Sequence, residues 1–175
     1  VTIIAGESKT YKTLLMLLSL KAHQKKYPDG FALLYDTENG ITPEYLALME
    51  IDMDRVMHIP VDDIEQMKID IVNRLNEVDK GDRLMICVDS LGMIASRKEI
   101  EDAKEGKVVV DMTRAKASKS FFRLITAKIT KKELYFVGIQ HTYMEIGMYP
   151  KAIVGGGTGQ IYAANTILII SKAQV

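Results

Sequence analysis

Short continuous apolar runs alternate along the chain with stretches in which apolar residues recur every three or four positions. The runs cover residues 1–5, 31–35, 56–59, 84–88, 134–139 and 166–170, each of strand length and bounded by turn or polar residues. Between them Leu14, Leu15, Leu17, Leu18 and Ala22, then Ile64, Met67, Ile71, Leu75 and Val78, trace helical stripes. A short helix is predicted from Pro43 and a long one over 112–130, whereas the polar, glycine-containing stretch 97–110 reads as a loop. Further glycine-rich loop follows the fifth run and includes residues 155–159. Strands apolar at nearly every position are buried on both faces, so the pattern predicts an α/β fold, a mostly parallel twisted sheet with helices on both faces. In such sheets ligands sit at the carboxyl ends of the strands, and the polar residues there are the candidates for chemistry.

Composition narrows the class. With 175 residues, 47% hydrophobic and 26% charged, one domain with a sizeable core is expected and disorder is excluded. The apolar runs fall well short of the ~20 residues that a membrane-spanning helix needs, and no secretory signal is visible. The single cysteine, Cys87, has no internal disulfide partner and lies in an apolar strand, the usage expected in a reducing compartment such as the cytoplasm. Because the first strand begins at residue 1, the chain reads as a core cut from a longer protein, with flanking segments absent. Formal net charge is zero, but residues 97–132 hold 11 basic and 5 acidic side chains. Taken alone, that stretch is a solvated helix face or a surface for a polyanion.

Three strand ends carry chemistry. Gly6, Glu7, Ser8, Lys9, Thr10, Tyr11, Lys12 and Thr13 lie between the first strand and first helix, where main-chain amides and the helix dipole hold phosphate. The order approaches a P-loop, in which Lys12 would reach the outer phosphates and the Thr13 hydroxyl would bind Mg²⁺. Tyr11 stands where glycine is expected, so an ordinary lysine-rich strand-to-helix turn is the alternative. Asp89 closes the fourth strand as a Walker B carboxylate does, or as a capping residue does. Glu38, just past the second strand, is placed to polarise a water or to cap the next helix. Gln140 and His141 end the fifth strand, and the uncharged amide of Gln140 is expected to sense a terminal phosphate. His23 and His58 are read as structural.

In this order these residues resemble the ATPase core of RecA-type DNA strand-exchange proteins, and within them the phage UvsX branch. The resemblance rests on Lys12-Thr13, Tyr35-Asp36-Thr37-Glu38-Asn39, Pro43-Glu44-Tyr45, Val88-Asp89-Ser90, Gln140-His141-Thr142-Tyr143, Ile146-Gly147-Met148 and Gly155-Gly156-Gly157-Thr158-Gly159. It covers nearly the whole of residues 1–175, read as one RecA-like core. It implies ATP and Mg²⁺ as cofactors, with Glu38 catalytic, Tyr45 stacked on adenine, Thr13 and Asp89 on the metal, and His141 relaying nucleotide state. The phage branch likewise has an aromatic at the place of Tyr11 and histidine at that of His141. The resemblance also implies two DNA-binding loops, over about 97–112 and 142–157. In them Arg114, Gly155 and Gly156 would contact phosphates, and Val109 and Ile146 would wedge between bases. Tyr143 and Tyr149 would stack on bases or pack the loop. The implied partners are single-stranded and double-stranded DNA without sequence preference, further copies of the chain in a helical filament, and recombination mediator and single-strand-binding proteins, with no membrane. A hexameric RecA-fold helicase or motor, and a weakly hydrolysing ATP-binding filament scaffold, stay open on the same residues.

Overall fold

A computed structural model describes residues 1–107, 113–146, 148–149 and 151–172. In chain order the elements are β1 (Thr2–Gly6), α1 (Lys12–Lys26), β2 (Phe31–Asp36), α2 (Pro43–Leu48), β3 (Val56–Pro60), α3 (Ile64–Glu77), β4 (Leu84–Asp89), α4 (Arg97–Lys104), α5 (Thr113–Lys132), β5 (Tyr135–Met144), β6 (Ala152–Val154), α6 (Thr158–Ala163) and β7 (Thr166–Ile170). The sheet runs β3-β2-β4-β5-β1-β7 with every neighbouring pair parallel, and β6 pairs antiparallel with the far end of β5. This is the predicted α/β architecture.

Alternation along the strands explains why they read as continuous apolar runs. In β4, Leu84, Ile86 and Val88 enter one core with Ile71 of α3 and Phe121, Phe122 and Ile125 of α5. Met85 and Cys87 enter the opposite core with Met16, Leu17 and Leu20 of α1. Both faces are therefore paid in apolar area, each fully buried Leu or Phe contributing about 1.5–3 kcal/mol before chain entropy is counted. Phe122 meets Phe121 and Phe136 edge to face, with centroids 5.1 and 6.0 Å apart. Cys87 is fully buried, and burial pushes its thiol up to about 12, which makes it a core residue and not a nucleophile.

Three elements differ from the expectation. Residues 97–104, read as loop, form α4: the Ser96 side chain accepts from Glu99 N at 3.1 Å while Glu99 Oε2 accepts from Ser96 N at 2.6 Å. That capping box offsets a segment with almost no apolar stripe. β5 runs five residues beyond Ile139 because Thr142, Tyr143 and Met144 pair with β6. The glycine-rich stretch after β6 leads into the short helix α6, which packs on α5. Among the described residues no helix is long and apolar enough to cross a membrane.

Parallel register aligns the carboxyl ends. Asp36 is the partner of Asp89 across β2 and β4, and Gly6 is the partner of His141 across β1 and β5.

Candidate functional site

The loop from Gly6 to Thr13 is set by close packing and by strain. A Cβ on Gly6 would stand 2.6 Å from the Ile170 carbonyl oxygen and 2.7 Å from Thr10 Oγ1, so only glycine fits. Thr10 is buried and its hydroxyl donates to the Glu7 carbonyl at 2.8 Å, closing the turn. Tyr11 then adopts φ 62°, ψ 26°, the left-handed conformation a glycine takes freely, with its side chain exposed. Lys12 opens the 15-residue α1 and is buried; its Nζ donates to the Glu7 carbonyl at 2.6 Å. Burial lowers its pKa, opposed by the carboxylates of Asp89 and Glu38.

Asp89, at the end of β4, is 6% exposed, and its Oδ2 accepts from the Thr13 hydroxyl at 2.6 Å. Burial above all, then the nearby Glu38 and Asp36 carboxylates, raises the Asp89 pKa to about 6, while the Thr13 hydroxyl and Lys12 pull the other way. A hydroxyl and a carboxylate oxygen in contact, beside further acids and one lysine, fit a hard divalent cation that takes oxygen ligands.

Glu38 is held from two sides. Asp36, 1% exposed, accepts from Glu38 N through Oδ1 and from Ile41 N through Oδ2, both at 3.1 Å, and its Oδ2 lies 3.2 Å from His58 Nε2. Thr37 N donates to the Asp89 carbonyl at 2.7 Å, and the Thr37 hydroxyl donates to the Ser90 carbonyl at 3.0 Å and accepts from Ser90 N at 2.8 Å. Ser90 Oγ in turn donates to Glu38 Oε1 at 2.7 Å. Thr37 and Ser90 stand within the sequence motifs above, which assign them no part. Their signal was position alone, one residue past each acid that closes a strand. His141 Nε2 lies 3.6 Å from Glu38 Oε1, enclosed and without a hydrogen-bond partner among the described residues.

Lys12, Thr13, Glu38, Tyr45, Asp89 and His141 thus line one pocket of about 180 Å³. His141 also lines a neighbouring hollow of about 330 Å³, shared with Arg114, Gly155, Gly156 and Gly157. Arg114 reaches the Gly92 carbonyl through Nη1 at 3.4 Å, and Gly155 N donates to the His141 carbonyl at 2.8 Å. Ile146, Tyr143 and Tyr149 are exposed. Val109 lies outside the described residues.

Gln140 corrects the expectation of a phosphate sensor. Successive strand residues face opposite sides, so with Ile139 and His141 on the pocket's side Gln140 turns away. It is 1% exposed and lines only the neighbouring hollow of the two.

Comparison with known proteins bears on the whole chain. A family model described as the RecA N-terminal domain matches residues 1–175. The recombination and repair protein of Enterobacteria phage T4 is 46% identical over 173 residues, covering 99% of this chain and 44% of that protein. Protein RecA of Synechococcus is 28% identical over 164 residues, covering 92% of this chain and 42% of that protein. Protein RecA of Francisella philomiragia is 27% identical over 168 residues, with 92% and 44% covered. The chain spans less than half the length of these curated relatives.

Proposed function

The chain belongs to the RecA family, and from that premise we propose that it is the ATPase core of a DNA strand-exchange recombinase acting in recombination and repair. The intact protein would bind single-stranded DNA as a helical filament, pair it with homologous duplex and hydrolyse ATP to ADP and phosphate. Its place of work would be the cytoplasm of the cell that contains it.

Each residue then has a physical task. The Lys12 ammonium leaves the Glu7 carbonyl for the outer phosphates, exchanging a neutral acceptor for a charged one. Tyr45 stacks on adenine. Thr13 and Asp89 would hold Mg²⁺, which when bound would supply positive charge to the phosphate oxygens and keep Asp89 ionised. Glu38, fixed by Ser90 and by the Asp36 carboxylate, accepts the proton of the water whose oxygen forms the new bond to the terminal phosphorus as the bond to ADP breaks. Arg114 and the main chain at Gly155 and Gly156 take DNA phosphates, with Ile146 placed to enter between bases. Contacts to the backbone give affinity without sequence preference, as pairing by homology requires, because base edges must remain free.

The observation that carries the proposal is the convergence of Lys12, Thr13, Glu38, Asp89 and His141 on one pocket, with His141 shared by the hollow of Arg114 and the glycine loop. Phosphate release by the intact protein, with and without single-stranded DNA, tests it alongside electron micrographs. DNA-stimulated release on helical filaments, abolished by Lys12→Ala, is expected. Stimulated release that survives Lys12→Ala overturns the site, and closed rings overturn the recombinase in favour of a motor.

A further inference from the structure

Two buried glutamines on the far side of β5 have no part in the chemistry above. Gln140 and Gln160 are each 1% exposed. Gln140 Oε1 accepts from His141 N at 2.8 Å, and Gln140 Nε2 donates to Gln160 Oε1 at 3.1 Å. Gln160 Nε2 donates to the Gly155 carbonyl. The Gly155 N–H donates back to the His141 carbonyl at 2.8 Å. The bonds close a ring: His141 main chain, Gln140 side chain, Gln160 side chain, Gly155 main chain, and His141 again.

Shape enforces the ring. A Cβ on Gly156 would stand 2.5 Å from Gln140 Nε2 and 2.8 Å from Gln160 Nε2, so the loop closes over both amides only with glycine there, at φ 79°. One on Gly159 would stand 2.8 Å from Lys119 Cα, which seats the start of α6 directly on α5. A buried amide that loses one partner incurs the full desolvation penalty of the group left unpaired, so these bonds are expected to form or break together. His141 is the ring member whose side chain enters the ATP pocket.

We infer that Gln140 and Gln160 form a latch tying the glycine loop at 155–157 to His141, so that loop position follows nucleotide state. Both are positioning residues, and neither lines the ATP pocket. The inference deepens the proposed function and rests on its reading of one hollow as the ATP site and of the loop as a DNA contact.

The test uses the intact protein, a fluorescent oligo(dT) strand, ADP and a non-hydrolysable ATP analogue. The readout is the ratio of DNA affinities in the two nucleotide states. Gln160→Met alone strands the Gln140 amide and is expected to lower Tm. The double variant Gln140→Met with Gln160→Met removes both ends of the amide-to-amide bond at similar volume but leaves the His141 N–H and the Gly155 carbonyl without their side-chain partners, so its Tm is expected to stay below that of wild type. In the double variant hydrolysis without DNA is expected to stay within about two-fold of wild type, while the affinity ratio falls by about ten-fold or more, on the scale of ordinary coupling between sites. Gln160→Glu keeps an acceptor for Gln140 but lacks the donor to Gly155, and it is expected to lower the ratio too, which serves if the double variant does not fold. A wild-type ratio above one that persists unchanged in the folded variants refutes the latch alone. A wild-type ratio of one refutes the ATP and DNA reading and the latch with it.

Discussion

The Thr13 hydroxyl donates to Asp89 Oδ2 across 2.6 Å, joining residues 76 positions apart in the chain. One follows the loop lysine and the other closes β4, and each is the other's partner where the proposal places Mg²⁺. Parallel register explains the meeting: β1 and β4 flank β5 and end at the same rim, Asp89 closes β4 there, and α1 starts just after β1.

Asp89 sets a pH dependence of stability. Its folded pKa of about 6 exceeds the ordinary 3.8, so the folded protein holds the proton more tightly over that interval. The resulting contribution is fully present below about pH 3.8 and is lost as pH rises through 6, about 3 kcal/mol in all. Urea unfolding from pH 4 to 8 without nucleotide is expected to show this fall in wild type and not in Asp89→Asn. The variant is also expected to be the more stable of the two at neutral pH and to lose stabilisation by Mg²⁺ with nucleotide. Equal slopes in the two proteins would contradict the assignment.

Glu38→Gln keeps a side chain that still accepts from Ser90 but removes the proposed base. Turnover in single-stranded DNA is expected to fall by roughly 10²- to 10⁴-fold, the range for a general base. Nucleotide-dependent DNA binding should persist. Stopped-flow phosphate release together with fluorescence anisotropy separates the two effects, and near-normal turnover would remove Glu38 from the chemistry.

How far the fold could be read from the chain depended on burial. β4, apolar at Leu84, Met85, Ile86, Cys87 and Val88, announces a strand covered on both faces and delivers Asp89 unambiguously. α4 escaped because it buries no residue fully and is held by its cap; Ser96 and Glu99 were the legible signal. The β5–β6 hairpin escaped because Thr142, Tyr143 and Met144 pair outside the core, half or fully exposed. Sequence order put Gln140 and His141 together at one strand end but not on opposite faces. Gln160 carried no local signal, since its partners are 20 and 5 positions away.

Tyr11 stores backbone strain in the loop between β1 and α1. A left-handed conformation at a residue with a Cβ costs about 1–2 kcal/mol, partly offset in a glycine variant by the greater freedom of its unfolded chain. Tyr11→Gly is therefore expected to exceed Tyr11→Ala in stability by up to about 1 kcal/mol, a difference in Tm of roughly 2–4 °C for a domain of this size. Calorimetry on the pair removes the ring from the comparison. A more stable alanine variant would show that the loop is not under this strain.

Arg114 is assigned a phosphate and no base. Arg114→Ala is expected to weaken binding to poly(dT), poly(dA) and mixed strands alike, and to flatten the plot of log affinity against log salt by about 0.7, one contact's worth on a single strand. A loss confined to one sequence would mean that the arginine reads bases.

Under the proposed function nucleotide and DNA act through shared structure around His141, and thermodynamic linkage is the sharpest probe of that coupling. The affinity of the intact protein for single-stranded DNA is measured with a non-hydrolysable ATP analogue and without nucleotide; the affinity for the analogue is then measured with and without DNA. Both affinities are expected to rise by the same factor, well above one. Affinities for DNA that are equal with and without the analogue would contradict that coupling.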